Sequence, residues 1–228
     1  MNIAIIPARG GSKRIKKKNI CLCAGRPLLS YPLSVALESA LFDKVYVYSD
    51  SDEIKAVAKE YGADTSLHRS DESASDYASI TDAILECLPR IPQTQDFRIC
   101  LIYPTAVTLR VSSLRNALSI LNESGCDSVL SVTKYETPIE RAMNVREGKL
   151  AFAYPEHRLT RTQDLGVSYR DAAQFVWSTK SVVLEKGSMF TDNTRPYVIN
   201  STEAVDIDDL EDLRMAEVKR QFMEGRDD

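Results

Sequence analysis

Histidine is scarce in this chain, with 2 residues among 228, and its 5 cysteines are scattered. Histidine-based chemistry and a zinc set of paired cysteines therefore have few candidates, and the thiols are interpreted as small packing groups in a reducing cytoplasm. No apolar run approaches the ~20 residues of a membrane span. The apolar start from Ile3 to Ile6 stops at Pro7, which argues against a signal peptide. We expect a cytoplasmic protein with no membrane partner.

The two familiar glycine motifs for nucleotides are missing as well. Neither the G-x-x-x-x-G-K-[ST] pattern nor the G-x-G-x-x-G pattern occurs, because Gly10 and Gly11 are adjacent and the next glycine is Gly25. Instead, a short apolar strand runs into a loop that carries Arg9, Lys13 and further basic residues up to Lys18. The whole chain has a net charge of -4, so this positive charge is local. Exposed amides and lysines attract phosphate oxygens, and the loop therefore predicts a site for a nucleoside triphosphate.

The order of apolar segments predicts the fold class. Continuous apolar runs at 44–49, 98–103 and 127–132 alternate with amphipathic stretches that have helical periodicity. This pattern is typical of an α/β fold with a mostly parallel central sheet and helices on both faces, here as a single domain over residues 1–228. Ligands of such sheets bind beyond the carboxyl ends of the strands, where the basic loop lies.

One segment departs from this alternation. Residues 134–168 are polar and are broken by prolines and glycines, with short apolar pieces between them. Two interpretations stay open for it: an inserted hairpin arm that packs against a partner subunit, or a long lid over the active site.

A pair of carboxylates near the end of the chain suits a metal ion. Asp206 and Asp208 follow an extended segment, so alternation places both on one side and Ile207 on the other. Mg²⁺ prefers carboxylate and phosphate oxygens. Alternatively, the acidic residues of this stretch favour the positive end of the last helix, and Asp209 can cap that helix while the pair faces a cleft. A cationic loop and a carboxylate pair together supply what nucleotidyl transfer requires.

Several motifs carry a resemblance to a known family. In chain order they are Pro7-Ala8-Arg9-Gly10-Gly11-Ser12-Lys13-Arg14 with Lys18-Asn19, then Ser49-Asp50, Arg69 with Asp76, Tyr103-Pro104-Thr105-Ala106 and Asp206-Ile207-Asp208. The chain resembles the acylneuraminate cytidylyltransferases over essentially its whole length. The stretches Arg161-Thr162-Gln163-Asp164-Leu165 and Asp171-Ala172-Ala173-Gln174-Phe175-Val176-Trp177 are most similar to the pseudaminic acid branch.

The resemblance implies a Mg²⁺-dependent homodimer that joins CTP to a nonulosonic acid, with release of pyrophosphate and the middle arm reaching over the partner. By resemblance Arg9, Lys13 and Lys18 would act in catalysis on the triphosphate. The nucleotide would lie against Ala8, Gly10, Gly11, Ser12, Asn19, Arg69 and Ser79. The sugar would lie against Thr105, Arg161, Gln163, Asp164, Asp171 and Gln174, and the metal against Asp206 and Asp208.

Departures from the family pattern concern the sugar. Arg14 follows Lys13 where the sialic acid branch usually has glycine, and Ala173 stands where glycine is frequent in the pseudaminate branch. The alternatives are therefore a CMP-legionaminic or CMP-N-acetylneuraminic acid synthetase. Two further hypotheses are a sugar transferase with a nucleotide-sugar donor, which would lack the basic loop, and a nucleic-acid-binding protein that uses this loop. The acidic balance elsewhere disfavours nucleic acid as a partner.

Overall fold

A computed structural model describes residues 1–93 and 95–224; residues 225–228, for which the sequence predicts a frayed end, lie outside the described residues. The strands are β1 (Asn2–Pro7), β2 (Leu22–Cys23), β3 (Arg26–Pro27), β4 (Lys44–Tyr48), β5 (Arg98–Ile102), β6 (Ser128–Lys134), β7 (Met143–Arg146), β8 (Lys149–Phe152), β9 (Tyr169–Thr179) and β10 (Thr194–Ile199). Six of them form the central sheet in the order β10-β6-β9-β5-β1-β4.

The central sheet is mostly parallel. Strand β1 pairs in parallel with β4 and β5, and β10 pairs in parallel with β6. Strand β9 runs antiparallel to both of its neighbours, β5 and β6. The predicted fold class is confirmed, and the reversed strand is a feature that the apolar pattern did not indicate.

Helices cover both faces of this sheet. They are α1 (Ser30–Glu38), α2 (Asp52–Glu60), α3 (Ile80–Cys87), α4 (Val111–Ser124), α5 (Lys180–Lys186) and α6 (Leu210–Glu224). From β1, Ala4 and Ile6 pack with residues of α1, α2 and α4, whereas Ile3 and Ile5 pack with residues of α3 and α5. Burial on both sides explains why the strand is apolar from Ile3 to Pro7. Within the described ranges, no helix has the length and hydropathy that crossing a bilayer requires.

Local signals set the ends of the helices that flank the site. The Ser51 hydroxyl accepts a hydrogen bond from the Ile54 amide at the start of α2, and Gly62, with φ +92°, follows its last turn. Ser79 and Asp82 form a reciprocal capping box at the start of α3. Such caps stabilise a helix by about 1 kcal/mol each.

The segment at 134–168 contains a small hairpin. Strands β7 and β8 pair antiparallel, and the cross-strand partners Val145 and Leu150 are each 71% exposed. Exposed apolar side chains on a projecting hairpin are a common feature of surfaces that contact another protein.

Candidate active site

A cleft of about 520 Å³ opens at the carboxyl ends of β1 and β5. The loop after β1 forms one wall, and residues 103–105, which follow β5, form the floor. Arg69 and Asp76 contribute a third side, and Asp206 and Asp208 close the fourth. The cleft therefore lies at the sheet edge where ligands of this architecture bind.

Most residues that the sequence assigned to the nucleotide and the metal meet in this cleft. Its lining includes Arg9, Ser12, Lys13, Lys18, Asn19, Arg69, Thr105, Asp206 and Asp208. Ala8 is fully buried next to the lining. The Gly10 amide donates to the Asp50 carboxylate at 2.9 Å, and a Cβ on Gly10 would lie only 3.0 Å from the Ser51 Cβ. A side chain at this position would thus push the loop away from α2; Gly11 has open space around it.

The guanidinium of Arg9 and the ammonium of Lys13 share one carboxylate. Arg9 Nη1 lies 3.1 Å from Asp76 Oδ1 and donates to the Ser75 carbonyl at 3.0 Å, while Lys13 Nζ contacts Asp76 Oδ2. Lys13, and with it Arg9, lowers the pKa of Asp76 below its ordinary value. Asn19 supports this wall because its amide donates to the Arg9 carbonyl at 2.9 Å.

The carboxylate pair faces the other side of the basic loop. Lys18 Nζ donates to the Ile207 carbonyl at 2.6 Å and lies 3.7 Å from Asp208 Oδ1, and Arg14 contacts the same oxygen at 2.6 Å. Ile207 is fully buried between the two aspartates, as strand alternation predicts. Asp209 accepts from two amides at the start of α6, so capping and cleft-facing carboxylates coexist in this stretch.

The environment of Asp206 fits a divalent cation. Desolvation by the cleft walls, followed by the negative charge of Asp208, raises the pKa of Asp206 above its ordinary value. A carboxylate that is destabilised in its charged form by a second carboxylate gains most from a nearby cation. Among the residues described, no group of three or more histidine, cysteine or acidic side chains is arranged to hold a metal ion, so the pair would need oxygens from a ligand. Two carboxylates that are joined by phosphate oxygens of a bound nucleotide form a ligand set that suits Mg²⁺.

Arg69 is the buried cation of the cleft. It is 4% exposed, its Nη2 donates to the Ser73 carbonyl, and its Nε has no hydrogen-bond partner. Burial lowers the pKa of Arg69, and the carboxylate of Asp50 opposes this effect. A buried donor without a partner that lines a cleft is available to a ligand. Ser79, by contrast, serves as the exposed cap of α3 and does not line the cleft.

The predicted sugar residues separate into two groups. Thr105 lines the cleft. Asp171 lies at its edge, where Asp171 Oδ2 accepts from the Tyr103 hydroxyl at 3.2 Å and Oδ1 accepts from the Ala173 amide at 2.7 Å. Ala173 has φ +52°, so a methyl-bearing residue occupies a backbone conformation that favours glycine. A second cavity of about 460 Å³ adjoins this edge and shares Tyr103 and Ile80 with the cleft.

The remaining predicted sugar residues do not reach the cleft. Gln174 is 1% exposed, and its amide donates to the Glu203 carbonyl at 2.7 Å and to Thr108 at 3.2 Å. Gln174 and Phe175 are neighbours in β9 and point to opposite faces, but the face opposite Phe175 is also buried, so the ligand contact that the resemblance implies for Gln174 is corrected. Arg161 pairs with Asp164 at 2.8 Å in an exposed turn that also holds Gln163. None of these three lines the cleft.

Three residues that line the cleft with polar or charged side chains were not assigned a role from the sequence. Arg14 and Asp76 are charged and belong to the quoted motifs, which indicates functional residues. Their ionic partners could not be identified because these lie far away along the chain. Tyr103 belongs to the quoted motif at 103–106; it lines the cleft, and its hydroxyl donates to Asp171. Its position just after β5 is the signal that could have identified it.

Comparison with known proteins decides the family. A family model described as "Cytidylyltransferase" matches residues 3–227. The chain belongs to the cytidylyltransferase family. It is 36% identical over 221 residues to the pseudaminic acid cytidylyltransferase of Campylobacter jejuni, with 95% of each chain covered. It is 30% identical over 225 residues to the CMP-N,N'-diacetyllegionaminic acid synthase of Legionella pneumophila, with 94% of each covered.

A solved structure agrees in fold with this cytidylyltransferase. A CMP:2-keto-3-deoxy-manno-octonic acid synthetase complexed with CTP superposes with a TM-score of 0.71 at 14% identity, covering 98% of this chain and 99% of that one. This likeness concerns the fold, whereas the family model and the two relatives confirm the family suggested by the motifs. Five cationic side chains against three carboxylates line the cleft of this cytidylyltransferase, which leaves it electropositive within an acidic chain.

Proposed function

We propose that this cytidylyltransferase transfers the cytidylyl group of CTP to a nonulosonic acid, pseudaminic acid, and releases pyrophosphate. The observation that carries the proposal is the cleft itself, in which Arg9, Lys13 and Lys18 face the carboxylate pair of Asp206 and Asp208. A triphosphate needs cations along its length, and the reaction needs its developing charge stabilised where bonds change.

The chemistry is a displacement at phosphorus. The anomeric hydroxyl oxygen of the sugar acid attacks the α-phosphorus of CTP, and the bond from that phosphorus to the oxygen of the β-phosphate breaks. The hydroxyl proton is released to water, and pyrophosphate leaves with the electron pair of the broken bond. Arg9 and Lys13 are positioned to hold the phosphate oxygens, and Lys18 lies between this wall and Asp208, 3.7 Å from its Oδ1. Positioning and charge stabilisation contribute most of the rate enhancement in such reactions. A cleft lining without histidine is consistent with this chemistry.

Mg²⁺ belongs to this proposal. Asp206 and Asp208 would hold it together with phosphate oxygens, and when bound it would supply charge neutralisation at the reacting phosphate. Arg14 and Lys18, which contact Asp208, would then turn toward substrate oxygens, because a carboxylate that binds a metal has less charge to offer them.

The choice of pseudaminic acid rests on similarity. Identity to a pseudaminic acid cytidylyltransferase is 36%, against 30% for the legionaminic acid synthase. Legionaminic acid and N-acetylneuraminic acid are the alternatives. Asp171 and Thr105 are the described residues of the sugar set that lie at the cleft, and we expect them to contact the sugar acid.

We also propose a cytoplasmic homodimer whose contact is the arm at 134–168. The exposed Val145 and Leu150 of the hairpin support this, since an apolar cross-strand pair is costly in water. All five cysteines are free thiols, which suits a reducing compartment. The turn with Arg161, Gln163 and Asp164 lies in the same arm and would reach the sugar through the partner's cleft.

A pyrophosphate-release assay tests the function. The purified protein with Mg²⁺ is offered each of four nucleoside triphosphates with pseudaminic, legionaminic or N-acetylneuraminic acid. We expect turnover with CTP and pseudaminic acid, and an Arg9→Ala variant to lose about 10²–10³-fold in kcat/KM. Lys16→Ala, in the same loop but outside the cleft lining, is the matched control and stays active. Absence of turnover with any of the three acids would refute the proposal.

A further inference from the structure

Asp76 lies where a phosphate would be expected. Its two carboxylate oxygens contact two different cations, Arg9 through Oδ1 and Lys13 through Oδ2. One anionic group with several oxygens that bridges a guanidinium and an ammonium reproduces the contacts of a phosphate. Both cations line the cleft, so the carboxylate lies inside the volume that a triphosphate would enter.

A bound triphosphate and the Asp76 carboxylate cannot both pair with Arg9 and Lys13 without a loss of binding free energy. A triphosphate against Arg9 and Lys13 would bring its oxygens within a few ångströms of Asp76, where like charges repel. The Asp76 pairs are solvent-exposed, with the side chain of Lys13 77% accessible, and exposed ion pairs are weak enough to exchange.

The segment that carries Asp76 is anchored on both sides of residues 74–78. Between Arg69 and Ser79 the chain forms turns and bends without helix or strand. Before Asp76, the Ser73 hydroxyl donates to Glu86 of α3 and the Ser73 carbonyl accepts from Arg69; after it, Ser79 caps α3. Arg9 also donates to the Ser75 carbonyl, so the same cation that would bind phosphate holds this segment against the basic loop.

We infer that Asp76 is an intramolecular competitor of the nucleotide's phosphates for Arg9 and Lys13, and that phosphate binding releases residues 74–78 from the basic loop. The inference rests on the proposed function, in which these two side chains bind the triphosphate. It assigns to Asp76 a positioning role: the carboxylate keeps both cations aimed into the cleft at the expense of nucleotide affinity.

Calorimetric titration of the full chain separates this role from a structural one. CTP, and separately inorganic tripolyphosphate, are titrated without added metal into the wild type, Asp76→Asn and Asp71→Asn. Asp71 is exposed in the same segment, and its variant removes the same single negative charge, so it serves as the matched control. We expect Asp76→Asn to bind both ligands about three- to tenfold more tightly, because two exposed ion pairs no longer compete. Asp71→Asn should stay within about twofold of the wild type.

Other results overturn the inference. Equal or weaker binding by Asp76→Asn would mean that the carboxylate does not compete, and equal tightening by Asp71→Asn would mean that net charge alone is responsible. Thermal unfolding checks that Asp76→Asn is folded, and Asp76→Ser repeats the titration if it is not. Tripolyphosphate binding requires no sugar acid, so this readout stands even if the proposed substrate is wrong.

Discussion

Replacement of Lys18 by methionine tests the link between the two walls of the cleft. Its ammonium donates to the Ile207 carbonyl at 2.6 Å and lies 3.7 Å from Asp208 Oδ1, so one side chain joins the basic loop to the carboxylate pair. Methionine keeps much of the length and packing of lysine and removes the charge. The change therefore isolates the electrostatic contribution of the ammonium.

Two magnitudes follow from this geometry. Loss of the charge-assisted hydrogen bond to Ile207 should lower the free energy of unfolding by about 1–2 kcal/mol, because the carbonyl can be hydrated from the cleft. For a chain of 228 residues this corresponds to a Tm decrease of roughly 2–8 °C. Loss of a cation that stabilises the transition state should lower kcat/KM for CTP by about 10²–10³-fold, or about 2.7–4 kcal/mol.

The assay measures pyrophosphate release well below the Tm of the variant, so that both proteins are folded. Lys16→Met is the control from the same loop, since Lys16 does not line the cleft. Lys18→Arg should recover part of the activity because it restores a cation. A kcat/KM within tenfold of the wild type for Lys18→Met, together with the expected Tm decrease, would show that Lys18 is structural and would refute the reasoning.

Three further predictions follow from the site and the arm. Asp208→Asn should raise the Mg²⁺ concentration for half-maximal activity at least tenfold in a metal titration, whereas an unchanged titration would remove Asp208 from the metal site. Because the pKa of Asp206 is raised, protons should compete with Mg²⁺ for its carboxylate. The Mg²⁺ concentration for half-maximal activity should therefore rise as the pH falls toward that pKa, and a pH-independent titration would contradict this. Val145→Lys combined with Leu150→Lys should convert dimers to monomers in sedimentation, unlike Asn144→Lys on the other face of the hairpin, and an unchanged mass would rule out the hairpin as the contact.

The sequence alone was sufficient to predict features that depend only on residues close together in the chain. The ends of α2 could be predicted because Ser51 and Gly62 act on their own neighbours in the chain. The basic loop could be located at the ligand edge because it directly follows β1, and the carboxyl end of a parallel strand faces that edge whatever lies around it. The same reasoning applied to Asp206 and Asp208, whose common side follows from strand alternation.

Contacts between distant segments could not be derived in this way. Neighbours in a strand such as Gln174 and Phe175 point apart, but only the assembled sheet shows that both sides are buried and that the Glu203 carbonyl accepts from the Gln174 amide. The pairing of Asp76 with Arg9 and Lys13 likewise joins residues more than 60 positions apart. Residue types and spacing thus determined the fold class, the position of the basic loop and the common side of the two carboxylates. Tertiary structure decided which charges meet, because side-chain burial and ionic partners depend on how whole elements pack and not on their neighbours in the chain.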